Sequence, residues 1–168
     1  MTTHHIYWWN LENLFDAEDS PHRSPFLKKA IGRELNGWTQ EVLDKKLSNL
    51  ATIMASFQPN GPDILGVCEV ENVHVLELLR DRLHAATGRN YSILHHDSPD
   101  KRGIDTALFF DQDKYSSDGE VFTLRIIKRN PTRDLFQVHL TTANGNELVF
   151  VLNHWPARTA GVFKSEPH

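Results

Sequence analysis

The chain has little cysteine, little net charge and no long hydrophobic run, and each absence excludes a class of protein. Its only cysteine is Cys68, which excludes an internal disulfide framework. The formal net charge is -4. No global basic field attracts nucleic acid, so contact with a polyanion would need a local basic cluster or a bound cation. No segment approaches the roughly 18 apolar residues of a membrane helix.

What remains is the composition of a globular protein. The 168 residues are 39% hydrophobic and 24% charged, which is typical of one domain, and we expect it to span residues 1–168. The first residues lack the basic region and apolar stretch of a signal peptide. We therefore expect a cytoplasmic protein, although a leader already removed would leave the same sequence.

Two amphipathic helices are predicted, and residues 17–36 are expected to form a long surface loop. The first helix should begin at Thr39 as N-cap, and Gly88 should end the second as C-cap. Their buried faces are predicted to consist of Leu43, Leu47, Leu50, Met54 and Phe57 in the first helix, and Val75, Leu76, Leu79 and Leu83 in the second.

Strands alternate with these helices at first and then follow one another. Strands are predicted at residues 6–9, 63–68, 91–94, 104–110, 121–127, 135–142 and 147–153, with a hairpin turn at Asn144-Gly145-Asn146. This order predicts an α/β layered fold with a mixed sheet and flanking helices.

Polar residues follow three apolar strands at the point where each strand ends. They are Asn10, Glu69 and the pair Asn153-His154, while Lys101 to Asp105 place two cations and a carboxylate at the start of a fourth strand. Ligands collect at strand ends in α/β folds. Because Mg²⁺ takes one or two carboxylates with other oxygen ligands, Glu69 beside an amide is a reasonable beginning for a cation site.

The same segments resemble the bacterial branch of the endonuclease/exonuclease/phosphatase superfamily, whose fold is deoxyribonuclease I-like. The motifs are NLENLFD from Asn10, ILGVCEVEN from Ile64, RGIDTALFF from Arg102 and NHWPAR from Asn153, in that order. Each motif alone is weak, but together they span almost the whole chain.

The resemblance implies a metal-dependent phosphodiester hydrolase, nuclease-like, in which water attacks a phosphate ester. It makes Glu69 the ligand of Mg²⁺, with Mn²⁺ as a substitute, and Asn10 an amide that positions metal or phosphate. It makes His154 a contact of the scissile phosphate and Asp105 the acidic partner of that histidine. The expected substrate contacts are Arg102, Asn153 and Arg158, and the substrate could be DNA or RNA.

Other interpretations stay open. The same fold also serves lipid and small-molecule phosphate esters, and the chain could be a binding or assembly module without turnover. Glu71 is expected to support the site or the helix start rather than bind metal. The pairs His4-His5 and His95-His96 are expected to be solvated, since a zinc site would need further ligands at suitable spacing.

The resemblance covers only the N-terminal half of the family pattern. The later Asp-x-Asn and Asp-His motifs are not found after His154, so we expect a truncated domain that is inactive alone. The family fold is a four-layer α/β sandwich to which each half contributes roughly one sheet. An uncovered apolar sheet face and self-association through it are therefore expected.

Overall fold

The computed structural model describes residues 3–58, 60–98, 103–124 and 134–155. Helices come early in the described chain and strands dominate after residue 90, as the sequence predicts. In chain order the elements are β1 (Ile6–Leu14), α1 (Pro25–Ile31), α2 (Gln40–Ser56), β2 (Ile64–Val70), α3 (Val73–Thr87), β3 (Tyr91–His95), β4 (Asp105–Asp111), β5 (Tyr115–Ser116), β6 (Val121–Leu124), β7 (Leu135–Thr142) and β8 (Glu147–Leu152).

The two long helices begin and end as their capping residues predict. The side chain of Thr39 accepts a hydrogen bond from the backbone N–H of Val42 at the start of α2. Gly88 ends α3 in the left-handed conformation with a φ of 73°, which glycine adopts without steric cost. Phe57 does not join the buried face of α2, because the helix ends at Ser56 and the Phe57 ring is 64% exposed.

The prediction of a loop over residues 17–36 is wrong in part, since it contains the short helix α1. Ser24 caps this helix by accepting the N–H of Leu27, and Pro25 occupies its first turn, a position where proline's missing N–H costs nothing. Leu27 and Ile31 are buried with Ile104 in a small separate core. The Ser-Pro pair was the available sequence signal.

The strands form two sheets. In the first sheet the order is β1-β2-β4-β3, with β1 parallel to β2 and the other pairs antiparallel. In the second sheet β7 pairs with β5, β6 and β8, all antiparallel. The predicted hairpin is confirmed, because β7 and β8 are joined through Gly145 at a φ of 78°.

Both faces of the first sheet are covered. Leu65, Val67 and Phe109 share a core with the apolar faces of α2 and α3. Residues of the opposite face, such as Ile64 and Phe110, pack against the second sheet. Because side chains alternate between faces along a strand, neighbouring residues serve the two cores. The fold is the predicted α/β sandwich, but the expectation of only one sheet is wrong.

An uncovered apolar face does exist, on the outer side of the second sheet. Four large apolar side chains there are between 49% and 65% exposed: Phe122 49%, Leu124 65%, Val149 51% and Val151 53%. Cross-strand pairing places Phe122 and Val151 on either side of Gln137, so they share one face. Self-association through this face stays a prediction. Among the described residues, no helix is long and apolar enough to cross a membrane.

Candidate active site

Two irregularities in the first sheet meet at Glu69. In the pairing of β2 with β4, Cys68 lies opposite Thr106 and Val70 opposite Asp105, so Glu69 is an extra residue. In the pairing of β1 with β2 the register also shifts, between Asn10 and Leu14. A bulge bends the strand and redirects a side chain. Here two adjacent bulges turn Glu69 out of the ladder.

The backbone at these bulges is strained. Three of the four described non-glycine residues with positive φ lie here: Glu12 at 52°, Asn13 at 58° and Glu69 at 62°. Such conformations cost about 1 kcal/mol or more each and concentrate at functional sites. Nothing in the residue types predicts them except Asn13, since asparagine tolerates this region better than glutamate.

The carboxylate of Glu69 is held from two sides. Oε2 accepts the backbone N–H of Asn13 at 3.0 Å, and Oε1 lies 3.3 Å from Nε2 of His154. Both side chains are 16% exposed, so they are accessible from one direction only. The other ring nitrogen of His154, Nδ1, is buried without a hydrogen-bond partner among the described residues. Two residues 85 positions apart in the sequence thus converge, as predicted.

Packing at the end of β8 explains how His154 reaches Glu69. Leu152 is the last residue of β8 and is buried with Ile64 of β2 in the core between the sheets. A Cβ added to Gly66 would lie 3.2 Å from the Leu152 side chain and 2.6 Å from the Trp8 ring. Because Gly66 has no side chain, Trp8 and Leu152 can pack directly against β2 at this position. The packing of Leu152 holds the backbone in place two residues before His154.

Asn10 lies beside the same bulge but its oxygen is already used. In the ladder Asn10 is opposite Cys68, the residue before Glu69. Its Oδ1 accepts the backbone N–H of Glu12 at 2.8 Å, the turn-stabilising role typical of asparagine. The structure therefore places Asn10 at the site, and its contact with metal or phosphate stays a prediction.

Lys46 is a site residue that the sequence did not reveal. It projects from α2 and donates from Nζ to the carbonyl oxygen of Glu12 at 2.7 Å, which supports the bulged segment. Burial lowers the pKa of Lys46, while the charges of Glu12 and Glu69 act in the opposite direction. One of the two adjacent lysines of α2 carries no signal of this role, because the contact depends on how α2 packs against β1.

Asp105, the predicted acidic partner of His154, pairs with His95 instead. Asp105 accepts the backbone N–H of Ser98 through Oδ1 at 2.9 Å, and its Oδ2 lies 3.4 Å from Nε2 of His95. No ion pair joins Asp105 to His154 in the described part of the chain, where the carboxylate beside His154 is Glu69. Asp105 is the first residue of β4 and lies opposite Val70, the residue after Glu69 in β2. The Asp105–His95 pair therefore lies one strand away from the Glu69–His154 pair.

Glu71 belongs to a buried ion pair and not to the site. Its carboxylate receives Arg23 at 2.6 Å, with both side chains almost fully buried, and accepts the backbone N–H of Asp16 at 2.7 Å. Arg23 also donates to the carbonyl oxygens of Asp16 and Ala17. The pair therefore fixes the loop after β1 against the end of β2. Asn72, and not Glu71, caps α3.

The remaining predicted contacts are only partly described. Asn153 directly follows β8 and is partly buried, next to His154. Lys101, Arg102 and Arg158 lie outside the described residues. The contacts of Arg102, Asn153 and Arg158 with substrate stay predictions.

Comparison with known proteins identifies the family of this chain. The model of a family described as endonuclease/exonuclease/phosphatase matches residues 5–168. The chain belongs to this family. No curated protein matches it. The family match covers all four sequence motifs, so the predicted resemblance is confirmed.

Several solved structures share the fold. ANGEL2, a 2',3'-cyclic phosphatase, is 15% identical over 88% of this chain and 39% of its own, with a TM-score of 0.53. An endonuclease/exonuclease/phosphatase from Bacteroides vulgatus is 14% identical over 90% of this chain and 52% of its own, with a TM-score of 0.50. A mannosyl-6-phosphatase from Bacteroides thetaiotaomicron is 17% identical over 89% and 50%, with a TM-score of 0.49. The chain spans about half, or less, of each.

The donor atoms at the bulges fit a hard divalent cation. Glu69 offers a partly exposed carboxylate with no lysine or arginine within ion-pair distance among the described residues. Oδ1 of Asn10 accepts the N–H of Glu12 and keeps a second lone pair. Oxygen donors of this kind suit Mg²⁺ and Mn²⁺. Glu69 would hold such a cation, and Asn10 stands beside it.

Proposed function

We propose that this protein hydrolyses phosphate esters, with phosphodiesters as the leading substrate class, at the site formed by Glu69, His154 and Asn10. The observation that carries the proposal is the convergence of Glu69 and His154 at 3.3 Å on a doubly bulged, strained strand end. Backbone strain concentrated at a strand end is typical of a functional site.

In the proposed reaction a water oxygen forms a new bond to phosphorus while the ester P–O bond breaks, and one water proton ends on the leaving oxygen. A bound Mg²⁺ supplies neutralisation of charge that builds on the phosphoryl oxygens. Glu69 would hold such a cation with its partly exposed carboxylate. The N–H of Asn13 fixes one carboxylate oxygen of Glu69 and so orients the other toward the site.

His154 is proposed to contact the scissile phosphate through Nε2, the ring nitrogen that faces Glu69. An imidazole can donate or accept a proton near neutrality, because its unperturbed pKa is about 6.5. Lys46 supports the site indirectly, by holding the carbonyl oxygen of Glu12 in the bulge. Glu69, Asn10 and His154 would supply the contacts with metal and phosphate.

The phosphate-ester class is supported by the family and by ANGEL2, whose structure is known in complex with adenosine-2',3'-vanadate. For the choice among nucleic acid, lipid and small-molecule esters, the observation that we use is the net charge of the chain. A net charge of -4 favours a substrate that makes few phosphate contacts over a long duplex, since duplex binding requires many cations along a groove.

The test measures both binding and turnover, because a site for metal and phosphate is detected by binding independently of the rate of hydrolysis. Inorganic phosphate is titrated in the presence of Mg²⁺ by calorimetry, and hydrolysis of bis-nitrophenyl phosphate and plasmid DNA is followed with Mg²⁺ or Mn²⁺. We expect Glu69→Gln and His154→Ala each to weaken phosphate binding at least about tenfold and to lower any turnover about 100-fold.

The matched control is Glu77→Gln, which removes a carboxylate from an exposed position of α3. It should leave both readouts unchanged. Equal phosphate binding by the wild type, Glu69→Gln and His154→Ala would contradict the proposed site, whatever the rate of hydrolysis. Circular dichroism of each variant shows whether a loss of binding comes from unfolding.

A further inference from the structure

A second group of metal-competent side chains lies near the same end of the first sheet, at the junction of β3 and β4. His95 ends β3, Asp97 follows two residues later, and Asp105 begins β4. One ligand atom from each side chain lies within 4.8 Å of the other two. Nothing in the sequence groups these residues, and the expectation that His95 is solvated is wrong, because its side chain is only 9% exposed.

His95 is nearly buried and its inward nitrogen is unsatisfied. The side chain is only 9% exposed, and Nε2 is buried without a hydrogen-bond partner among the described residues. It points at two carboxylates, with Oδ2 of Asp105 at 3.4 Å and Oδ1 of Asp97 at 3.9 Å. A buried polar atom in this position costs folding free energy unless something else binds it.

The separations are those of ligands around one small cation. In a tetrahedral zinc site with bonds of about 2.0–2.1 Å, neighbouring ligand atoms lie about 3.4 Å apart. The nitrogen of His95 and the Asp105 oxygen already have this spacing. Asp97 is 88% exposed and can approach by side-chain rotation. Oδ1 of Asp105 is fixed by the N–H of Ser98, so the oxygen that faces His95 is oriented.

We propose that His95, Asp97 and Asp105 bind Zn²⁺ at a site separate from the Glu69 site. Two carboxylates balance the charge of the ion, and the imidazole nitrogen selects transition metals over Mg²⁺. With three protein ligands and one exposed side, the ion would keep an open position for water or an anion. The ion would also join the end of β3 to the start of β4. This proposal does not depend on phosphate-ester hydrolysis.

The test follows Co²⁺, a spectroscopic substitute for Zn²⁺, by its visible absorption in the presence of excess Mg²⁺, with Zn²⁺ displacement as confirmation. The wild type should show the intense bands of a four-coordinate ion, and Zn²⁺ should raise the Tm. Asp97→Asn, at an exposed position that folding tolerates, should weaken Co²⁺ binding at least about tenfold, and His95→Gln should abolish the bands.

Two matched variants separate this site from other binding. Asp19→Asn changes an exposed aspartate elsewhere and should bind Co²⁺ as the wild type does. Glu69→Gln should also keep the Co²⁺ bands, because Glu69 is not a ligand of this ion. Absence of the bands in the wild type, or equal Co²⁺ affinity in the wild type and Asp97→Asn, would overturn the proposal. Loss of the bands in Glu69→Gln would assign the ion to the Glu69 site instead.

Discussion

The two ends of the first sheet use charged residues in opposite ways. At the amino end of β2, Asp63 is fully buried and lies 2.6 Å from Nζ of Lys114 and 2.9 Å from the guanidinium of Arg89. It also accepts the backbone N–H of His5 at 2.9 Å, and Arg89 pairs with Asp111 as well. Each carboxylate there has a permanent cationic partner, so this end is a structural ion cluster.

At the carboxyl end of β2 the partners are weaker and the backbone is strained. Glu69 faces a histidine and no lysine or arginine within ion-pair distance among the described residues. Nε2 of His95 and Nδ1 of His154 are buried without hydrogen-bond partners in the described part of the chain. Both ends carry similar residue types, so composition does not distinguish them. The difference is that Asp63 has a lysine and an arginine within ion-pair distance, whereas the carboxylate of Glu69 has only His154 among the described residues.

The largest expected effect is on stability, at the amino end. Asp63→Asn would leave Arg89 and Lys114 without their shared carboxylate, and should lower the free energy of unfolding by about 3 kcal/mol. Glu69→Gln should change it by less than about 1 kcal/mol. Urea unfolding of the two variants, with Asp19→Asn as control, measures the contrast. Equal losses for Asp63→Asn and Glu69→Gln would remove the distinction between the two ends.

Acid should act on the amino end in a defined direction. Burial raises the pKa of Asp63, but the hydrogen bond and charge of Lys114, the N–H of His5 and Arg89 outweigh it and hold the pKa below the ordinary 3.8. A carboxyl with a depressed folded pKa contributes stability above its unfolded pKa and loses it as pH falls through the folded pKa. The stability difference between wild type and Asp63→Asn should therefore shrink below about pH 3.8 and be full near neutrality. A difference that grows on acidification, measured by urea unfolding across this range, would contradict the pairing.

The smallest effect concerns the strain at the carboxyl end. Glu12 has a φ of 52°, which glycine adopts freely, so Glu12→Gly should raise the free energy of unfolding by about 1 kcal/mol. The matched change Glu77→Gly, in the middle of α3, should lower it by about 1 kcal/mol. Thermal unfolding of both variants checks the signs. If Glu12→Gly is as destabilising as Glu77→Gly, the bulge stores no strain.

Residues with a local signal were predicted, and those whose role depends on packing were not. Thr39 and Gly88 mark helix ends by their own chemistry, and Glu69 and His154 follow apolar strands within recognisable motifs. The bulge at Glu12 and Asn13 depends on the pairing of β1 with β2, which no single segment encodes. The same holds for Lys46 and His95, whose neighbours come from other elements. The second sheet is not predicted, because the family resemblance implies roughly one sheet for this half of the fold and the strand pattern does not say which strands share a sheet.

Mg²⁺ binding at the carboxyl end of β2 is measured by calorimetry on the wild type, Glu69→Gln, Asp97→Asn and the control Glu77→Gln. We expect Glu69→Gln to bind Mg²⁺ at least about tenfold more weakly than the wild type, and Glu77→Gln and Asp97→Asn to bind it unchanged. Equal Mg²⁺ affinity in the wild type and Glu69→Gln would show that Glu69 does not bind the cation and that this end of the sheet is not the cation site.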